Sequence, residues 1–159
     1  MAGWDDRVIF IVDALPDTLM TALLCLADFY VSAAHCDGLD LALLRAMALG
    51  IAVIAPANTC MADYISPDSA VVIGERSFPG VLSGLAGDAA GTIYPISASG
   101  RFDIARAIRA AMALSPAQRG DLGARGKSNV DRLFAPQASL AAIEQRIAAV
   151  FGSGADRNG

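Results

Sequence analysis

The sequence contains few soft metal ligands: one histidine, His35, and three cysteines. Cys25, Cys36 and Cys60 are odd in number and lack a close paired spacing, whereas a structural zinc ion needs about four such ligands. We therefore expect reduced thiols and no structural zinc site. No carboxylate or nucleophile is assigned to His35 by sequence, so we interpret it as a loop or partly buried residue rather than a catalyst.

The sequence also lacks a strong positive charge and a long apolar run. Its formal net charge is -4, and its densest basic stretch is the short segment 119–127, which argues against nucleic acid as a partner. The longest apolar runs, 19–27 and 46–56, are interrupted or too short for a membrane-spanning helix of about 20 residues. The first residues do not have the pattern of a secretory signal, so we expect a cytoplasmic location.

Short β-branched segments alternate with amphipathic segments along the chain. Hydrophobic residues make up 55% of its 159 residues, enough for one domain with a core. This alternation is typical of an α/β fold, a parallel sheet with right-handed helical crossovers, in which ligands bind at the carboxyl ends of strands. We predict strands at 7–12, 29–32, 51–55, 69–73 and 92–96, and helices at 16–28, 40–49, 102–114, 116–132 and from Pro136 onward.

Two predictions concern burial, and two concern irregular segments. The strand at 7–12 is expected to be buried on both faces. The last helix is expected to bury a stripe of apolar residues spaced by three and four positions, Leu140, Ile143, Ile147 and Val150. Residues 74–91 are predicted to form an irregular surface excursion, and 152–159 a flexible tail.

One long motif joins the second and third predicted strands. Residues 27–56 read ADFYVSAAHCDGLDLALLRAMALGIAVIAP. They resemble the pattern A-D-x-x-V-x-x-S-x-x-E-G-F-G-L-x-x-L-E-A-M-A-x-G-x-P-V-I-A at the centre of family 4 glycosyltransferases. Residues 58–65, NTCMADYI, resemble the T-x-M-x-D-Y-I of one subgroup, and 102–134 resemble the closing segment of the family.

The resemblance implies the C-terminal, donor-binding domain of a retaining GT-B glycosyltransferase, with a Rossmann-like parallel sheet and flanking helices. It implies a donor domain over 1–151, incomplete at its N-terminal side. A GT-B enzyme has two such domains and needs roughly twice this length. We therefore expect little or no sugar transfer by the isolated chain. Its expected partners are a nucleotide sugar, the missing acceptor-binding domain or a partner chain, and a second copy at the exposed sheet edge.

In the family, the first acid of an E-x7-E motif lies near the transferred sugar, and the second binds the nucleotide ribose. Asp37 takes the first position, and Arg45 takes the second. The stretch between them would bind the donor sugar and diphosphate, because a helix N-terminus offers free amides and a positive dipole end. That stretch comprises Gly38, Leu39, Asp40 and Leu41. The substrate is a nucleotide-diphosphate sugar, and the resemblance implies no metal or other cofactor.

The motif departs from the family pattern at several places, and Asp37 at the first acidic position is one methylene shorter than Glu. Leu39 replaces Phe, Asp40 replaces Gly and places an anion where a phosphate is expected, and Arg45 offers no acceptor to ribose hydroxyls. Each site residue also has a plainer interpretation. Asp40 caps a helix, Arg45 is solvated on the polar face of that helix, and Asp37 closes a turn with Gly38.

Residues after the third strand form a second candidate region. Asp63 and Tyr64 would contact the base or ribose, or would instead be a helix cap and a packed aromatic residue. Cys60 and Met61 are expected to pack in the interior. Two functions follow from these alternatives: a donor domain for retaining transfer to a glycan or lipid acceptor, as in polysaccharide biosynthesis, and a noncatalytic binding or scaffold module.

Overall fold

A computed structural model of the chain describes residues 7–34, 37–74, 76–81 and 93–151, with the side chains of 76–81 and 93–98 excluded. Within these ranges the fold is mixed α/β. The elements in chain order are α1 (Asp17–Leu26), β1 (Tyr30–Val31), α2 (Leu41–Ala48), β2 (Val53–Pro56), a 3₁₀ helix (Thr59–Asp63), β3 (Val71–Ile73), β4 (Arg76–Val81), β5 (Ile93–Ala98), α3 (Arg101–Met112), α4 (Pro116–Leu133) and α5 (Pro136–Phe151).

A small parallel sheet organises the described part of the chain. Its strand order is β1-β2-β3, with Tyr30 opposite Val53 and Ile54 opposite Val71. The helix α2 connects β1 to β2, as the alternation of strand and helix predicted. Every residue of the central strand β2 is buried, as expected for a strand covered on both faces.

The sheet is smaller than the sequence predicted. The strand predicted at 92–96 exists as β5, but it pairs antiparallel with β4 in a separate two-stranded sheet, with Arg76 opposite Ala98. The prediction of an irregular excursion over 74–91 is therefore wrong for β4, while 75 and 82–91 lie outside the described residues. Pro79 and Gly80 lie within β4, and both residue types are depleted in strands, so the pattern did not reveal this one.

The prediction of a buried strand at 7–12 is also wrong. These residues form no strand and are exposed, and the side chains of Ile9 and Val12 are 83% and 89% accessible to solvent. A continuous run of apolar residues is typical of a strand buried on both faces, but the run itself does not supply the neighbouring strand and helix that would bury it.

Two layers of helix cover the parallel sheet. On one side Leu43 and Met47 of α2 and Val130 of α4 join one buried cluster with residues of β2. On the other side Ala107 and Ala111 of α3 form a smaller cluster against the sheet. The core therefore lies around β2, with α2 and α4 on one side of the sheet and α3 on the other.

Glycines allow α4 to approach the turn between α2 and β2. A Cβ atom built at Gly123 would lie 2.0 Å from the carbonyl oxygen of Gly50, and one at Gly126 would lie 3.2 Å from the carbonyl oxygen of Ser69. Gly50 itself has φ +77° and ends α2, the left-handed conformation that favours glycine after a helix. The close contact therefore depends on the absence of a side chain at position 123.

The last helix begins at Pro136 as predicted, but its apolar stripe is not buried. Leu140, Ile143, Ile147 and Val150 are all at least half exposed, and α5 contributes no buried residue. The apolar spacing predicts this helix correctly, while the partner surface that the spacing requires is not formed by the described residues. Within the described ranges, no helix is both long and apolar enough to cross a membrane.

Candidate functional site

The candidate residues meet at the carboxyl edge of the parallel sheet. The loop before α2 follows β1, and the 3₁₀ helix follows β2, so both leave the sheet at the same edge. The two segments touch, because Thr59 Oγ1 lies 3.4 Å and Cys60 Sγ 3.2 Å from the carbonyl oxygen of Asp37. The fold thus brings together the acidic loop and the segment that follows the third predicted strand.

Asp40 caps the N-terminus of α2. Its Oδ1 accepts a hydrogen bond from the Leu43 amide at 3.0 Å, and its Oδ2 accepts one from Ser32 Oγ at 2.6 Å. Both carboxylate oxygens are thereby engaged, one with the helix and one with the end of β1. The interpretation of Asp40 as a helix cap is confirmed.

The backbone at this edge has two non-glycine residues in the left-handed region. Asp40 has φ +45° and ψ +70°, and Thr59 has φ +47°. Aspartate tolerates this conformation, whereas it is unusual for a β-branched residue such as threonine. Such residues are held in place by their surroundings and cluster at functional sites.

Asp37 closes a turn at the mouth of the loop. Its Oδ1 accepts hydrogen bonds from the amides of Leu39 at 2.9 Å and Asp40 at 2.7 Å. These bonds, chiefly that from Leu39, hold the pKa of the Asp37 carboxyl below its usual value. Gly38 is open, with no atom within 4 Å of a Cβ built on it. The turn interpretation is confirmed, and it places an ionised carboxylate at the exposed rim of the edge.

Tyr64 holds the loop that contains Leu39 by a hydrogen bond from its buried side chain. Its hydroxyl donates to the carbonyl oxygen of Leu39 at 2.7 Å, and its buried ring meets Phe134 edge to face at 6.0 Å. Burial raises the pKa of the Tyr64 hydroxyl well above its usual value, so the group remains a proton donor. Tyr64 is therefore the packed aromatic residue of the plainer interpretation, and its ring faces are not open to a base.

The remaining residues of the second candidate region behave differently from one another. Asp63 is the last residue of the 3₁₀ helix and is exposed, so it does not cap the start of a helix. Met61 is fully buried and Cys60 is partly buried in the main cluster, as predicted. Cys25 and Cys60 are free thiols, and Cys36 and His35 lie outside the described residues.

Arg45 joins α2 to the first turn of α1. Its Nη1 donates to Asp17 Oδ1 at 3.0 Å, and its Nη2 donates to the Asp17 carbonyl at 2.9 Å and to Thr21 Oγ1 at 2.5 Å. The prediction of a merely solvated side chain is wrong, because helix α1 packs beside the polar face of α2. The guanidinium is committed to α1 rather than to the loop at the sheet edge.

A groove of about 370 Å³ lies between α1, α2 and Tyr30. Its walls are mainly apolar and include Leu41, the first residue of α2. Burial raises the pKa of the Tyr30 hydroxyl, and the negative charges of Asp40 and Asp37 raise it further. The groove therefore opens beside the N-terminus of α2 and close to both acids.

Sequence reasoning missed Ser32 and Thr59. Ser32 is buried and ties the end of β1 to Asp40, and Thr59 contacts the loop from the opposite segment. Ser32 directly follows β1, and Thr59 comes three residues after the end of β2. A polar residue just beyond the carboxyl end of a parallel strand was the available signal.

The arrangement offers one exposed, ionised carboxylate at Asp37 and a helix N-terminus already capped by Asp40. The described residues contain no cluster of three or more His, Cys, Asp or Glu side chains suited to a metal ion. No protein-family model matches the chain, and no curated protein matches it significantly.

Proposed function

We propose that the chain is a glycosyltransferase-like donor domain, the C-terminal Rossmann-like half of a retaining GT-B enzyme. The observation that carries the proposal is the position of the residues 37–41, which resemble the donor-binding motif and lie at the carboxyl edge of a parallel sheet. Ligands of parallel α/β sheets bind at this edge. Nucleotide-diphosphate sugar is the proposed substrate, and a glycan or lipid is the proposed acceptor.

The backbone at Asp40 supports the resemblance independently of side-chain identity. The motif has glycine at this position, and Asp40 adopts φ +45°, the left-handed region that glycine enters without steric cost. A chain that replaced the glycine of the motif by aspartate and kept the same turn would retain this left-handed backbone conformation. The same turn directs the following amides of α2 along the helix axis toward the edge.

Asp37 is the proposed contact for the donor sugar. Its carboxylate is exposed and ionised, and a carboxylate accepts hydrogen bonds from neighbouring hydroxyls. The diphosphate would lie at the N-terminus of α2, near Leu41, where helix amides and the dipole stabilise negative charge on the leaving group. Binding there competes with the carboxylate of Asp40, which already occupies the cap. We therefore expect weak binding.

The proposed partners are an acceptor-binding domain or partner chain and a second copy of this chain. The donor half supplies one wall of the cleft in which a GT-B enzyme works, so the isolated chain should transfer little or no sugar. A cytoplasmic location remains a prediction from the sequence. A turnover of any nucleotide sugar by the chain alone would contradict the expected inactivity.

Calorimetric titration with UDP, GDP and ADP tests the donor-domain proposal. We expect micromolar binding of one nucleotide diphosphate to the wild type. The corresponding nucleotide sugar should bind more tightly, because its sugar also contacts the protein. Asp37→Ala should weaken binding of the nucleotide sugar. Asp121→Ala is the matched control, because Asp121 is an exposed aspartate on α4 that lies near the amino end of β3, at the opposite edge of the sheet, and this variant should bind as the wild type does.

The second candidate is a noncatalytic binding or scaffold module that retains the fold. It is favoured by the engagement of both Asp40 oxygens and by the commitment of Arg45 to α1. Asp40→Gly separates the two functions, because it removes the anion from the helix N-terminus while suiting the left-handed backbone. Tighter nucleotide binding by this variant supports the donor domain. Absence of binding in both the variant and the wild type supports the scaffold.

A further inference from the structure

Residues 8–12 present five consecutive large apolar side chains to solvent. Their exposed fractions run from 50% to 89%. Single exposed apolar residues are normal, whereas contiguous patches of several hundred Å² mark interaction surfaces. The segment consists of valine, isoleucine and phenylalanine, the residue types that fit a paired strand best. The segment therefore has the composition of a strand, and its exposed apolar side chains are typical of a surface that binds a partner.

A free sheet edge lies at β1. Among the described residues no strand pairs with the side of β1 opposite β2. The amides of Tyr30 and Ser32 donate to carbonyl oxygens on the β2 side, so the backbone groups of Val31 between them point to the free edge. Val31 is also 43% exposed. An exposed edge of this kind is a template for an added strand.

Helix α1 links residues 8–12 to this edge and extends the apolar surface. Leu19, Leu23 and Leu26 are exposed and lie on one face of the helix, while Leu24 packs inward. Leu15, three residues beyond the segment, lines the same groove as Tyr30. The chain therefore passes close to β1 three residues after the apolar segment ends.

We propose that a second copy of this chain covers this surface by reciprocal strand exchange, with residues 8–12 of each copy lying along the β1 edge of the other. Within one chain the segment does not form a strand on β1, whereas a two-fold pair supplies one strand and one edge to each copy. A stable interface buries ~800 Å² per partner, and residues 8–12, the α1 face and Val31 supply nine exposed large apolar side chains to such an interface.

This interface deepens the partner proposed above and does not depend on nucleotide binding. Light scattering at increasing protein concentration should give a dimer for the wild type. Ile9→Lys with Ile11→Lys should give a monomer with unchanged circular dichroism, because both side chains are already exposed. Leu140→Lys with Ile143→Lys is the matched control, because these residues belong to a separate exposed apolar face, on α5. The control should remain a dimer.

Two results would overturn the proposal in this experiment. A monomeric wild type at high concentration would show that no second copy is bound. A dimer that is lost in the α5 control and kept in the Ile9 and Ile11 variant would place the interface on α5 instead.

Disulfide trapping tests strand exchange itself. One chain carries Ile9→Cys and a second chain of different mass carries Val31→Cys, with the native cysteines replaced by serine in both. We expect a mixed disulfide between the unlike chains under oxidising conditions. A disulfide that forms only within a single chain carrying both substitutions would show that the segment docks on its own β1 edge, and it would overturn the proposal.

Discussion

A Cβ atom at Gly123 would lie 2.0 Å from the carbonyl oxygen of Gly50 and 3.3 Å from the Ala52 amide nitrogen. The backbone of α4 therefore rests directly on the turn that ends α2 and leads into β2. This turn follows the carboxyl end of α2, and Asp40 caps the opposite, amino end of the same helix. The orientation of the helix that forms the candidate site thus depends on a contact between two backbones.

Gly123→Ala should strongly destabilise the fold. The added methyl group meets backbone rather than a movable side chain, so α4 must shift, and overpacking of this kind costs about 1–3 kcal/mol or more in free energy of unfolding. Denaturant unfolding measures the loss. Gly120→Ala is the matched control on the same helix, because no atom lies within 4 Å of its Cβ position. It should be neutral or stabilising by up to ~1 kcal/mol through helix propensity. Equal midpoints for the two variants would contradict the close contact.

Tyr64→Phe should loosen the acidic loop. The substitution keeps the buried ring and removes only the hydroxyl that donates to the Leu39 carbonyl, at a cost of about 1 kcal/mol in stability. Amide hydrogen exchange should become faster at the loop residues around Leu39. Phe134→Leu serves as a control, because it removes the aromatic contact with Tyr64 and leaves the hydrogen bond. Unchanged exchange in Tyr64→Phe would show that the loop does not depend on the hydroxyl.

Stability should fall at low pH in part through Asp37. Amide hydrogen bonds lower the pKa of Asp37 in the folded chain, so the folded state binds this proton less readily than the unfolded state does. The contribution is present above the ordinary carboxyl pKa of about 3.9 and is lost as the pH falls through the lower folded value. A carboxyl titration by NMR should place the Asp37 midpoint below that ordinary value. The pH dependence of unfolding should be weaker in Asp37→Asn, and an identical dependence in both proteins would argue against the predicted effect.

The local features of the fold were largely predictable from the sequence. Pro16 precedes α1, Pro116 and Pro136 begin α4 and α5, and Gly50 ends α2, because the backbone restrictions of proline and glycine act on their immediate neighbours. The cap at Asp40 followed from the same local rules. These features need no knowledge of the rest of the chain.

Burial and pairing were less predictable, because they depend on distant residues. The apolar spacing of α5 is helical, yet Ile143 and Ile147 are exposed. The partner of Arg45 is Asp17, 28 positions earlier in the chain, and only the packing of α1 against α2 brings them together. Tyr64 contacts Leu39 and Phe134 for the same reason. Sequence periodicity specifies which face of an element is apolar, but not what lies against it.

Two buried serines should respond in opposite ways to replacement by alanine. Ser99 Oγ is buried and has no hydrogen-bond partner among the described residues, whereas the equally buried Ser32 Oγ donates to Asp40 at 2.6 Å. Ser99→Ala should be neutral or stabilising by about 1 kcal/mol, since it removes an unsatisfied polar atom, and Ser32→Ala should destabilise by about 1–3 kcal/mol, since it leaves a carboxylate oxygen without its donor. Denaturant unfolding of both variants checks this difference. Because Ser32 holds the carboxylate that caps α2, its variant should also speed amide exchange at Leu43, and Ser99→Ala should not. Equal losses of stability would mean that the hydroxyl of Ser99 is hydrogen-bonded in solution and that both serines stabilise the fold in the same way.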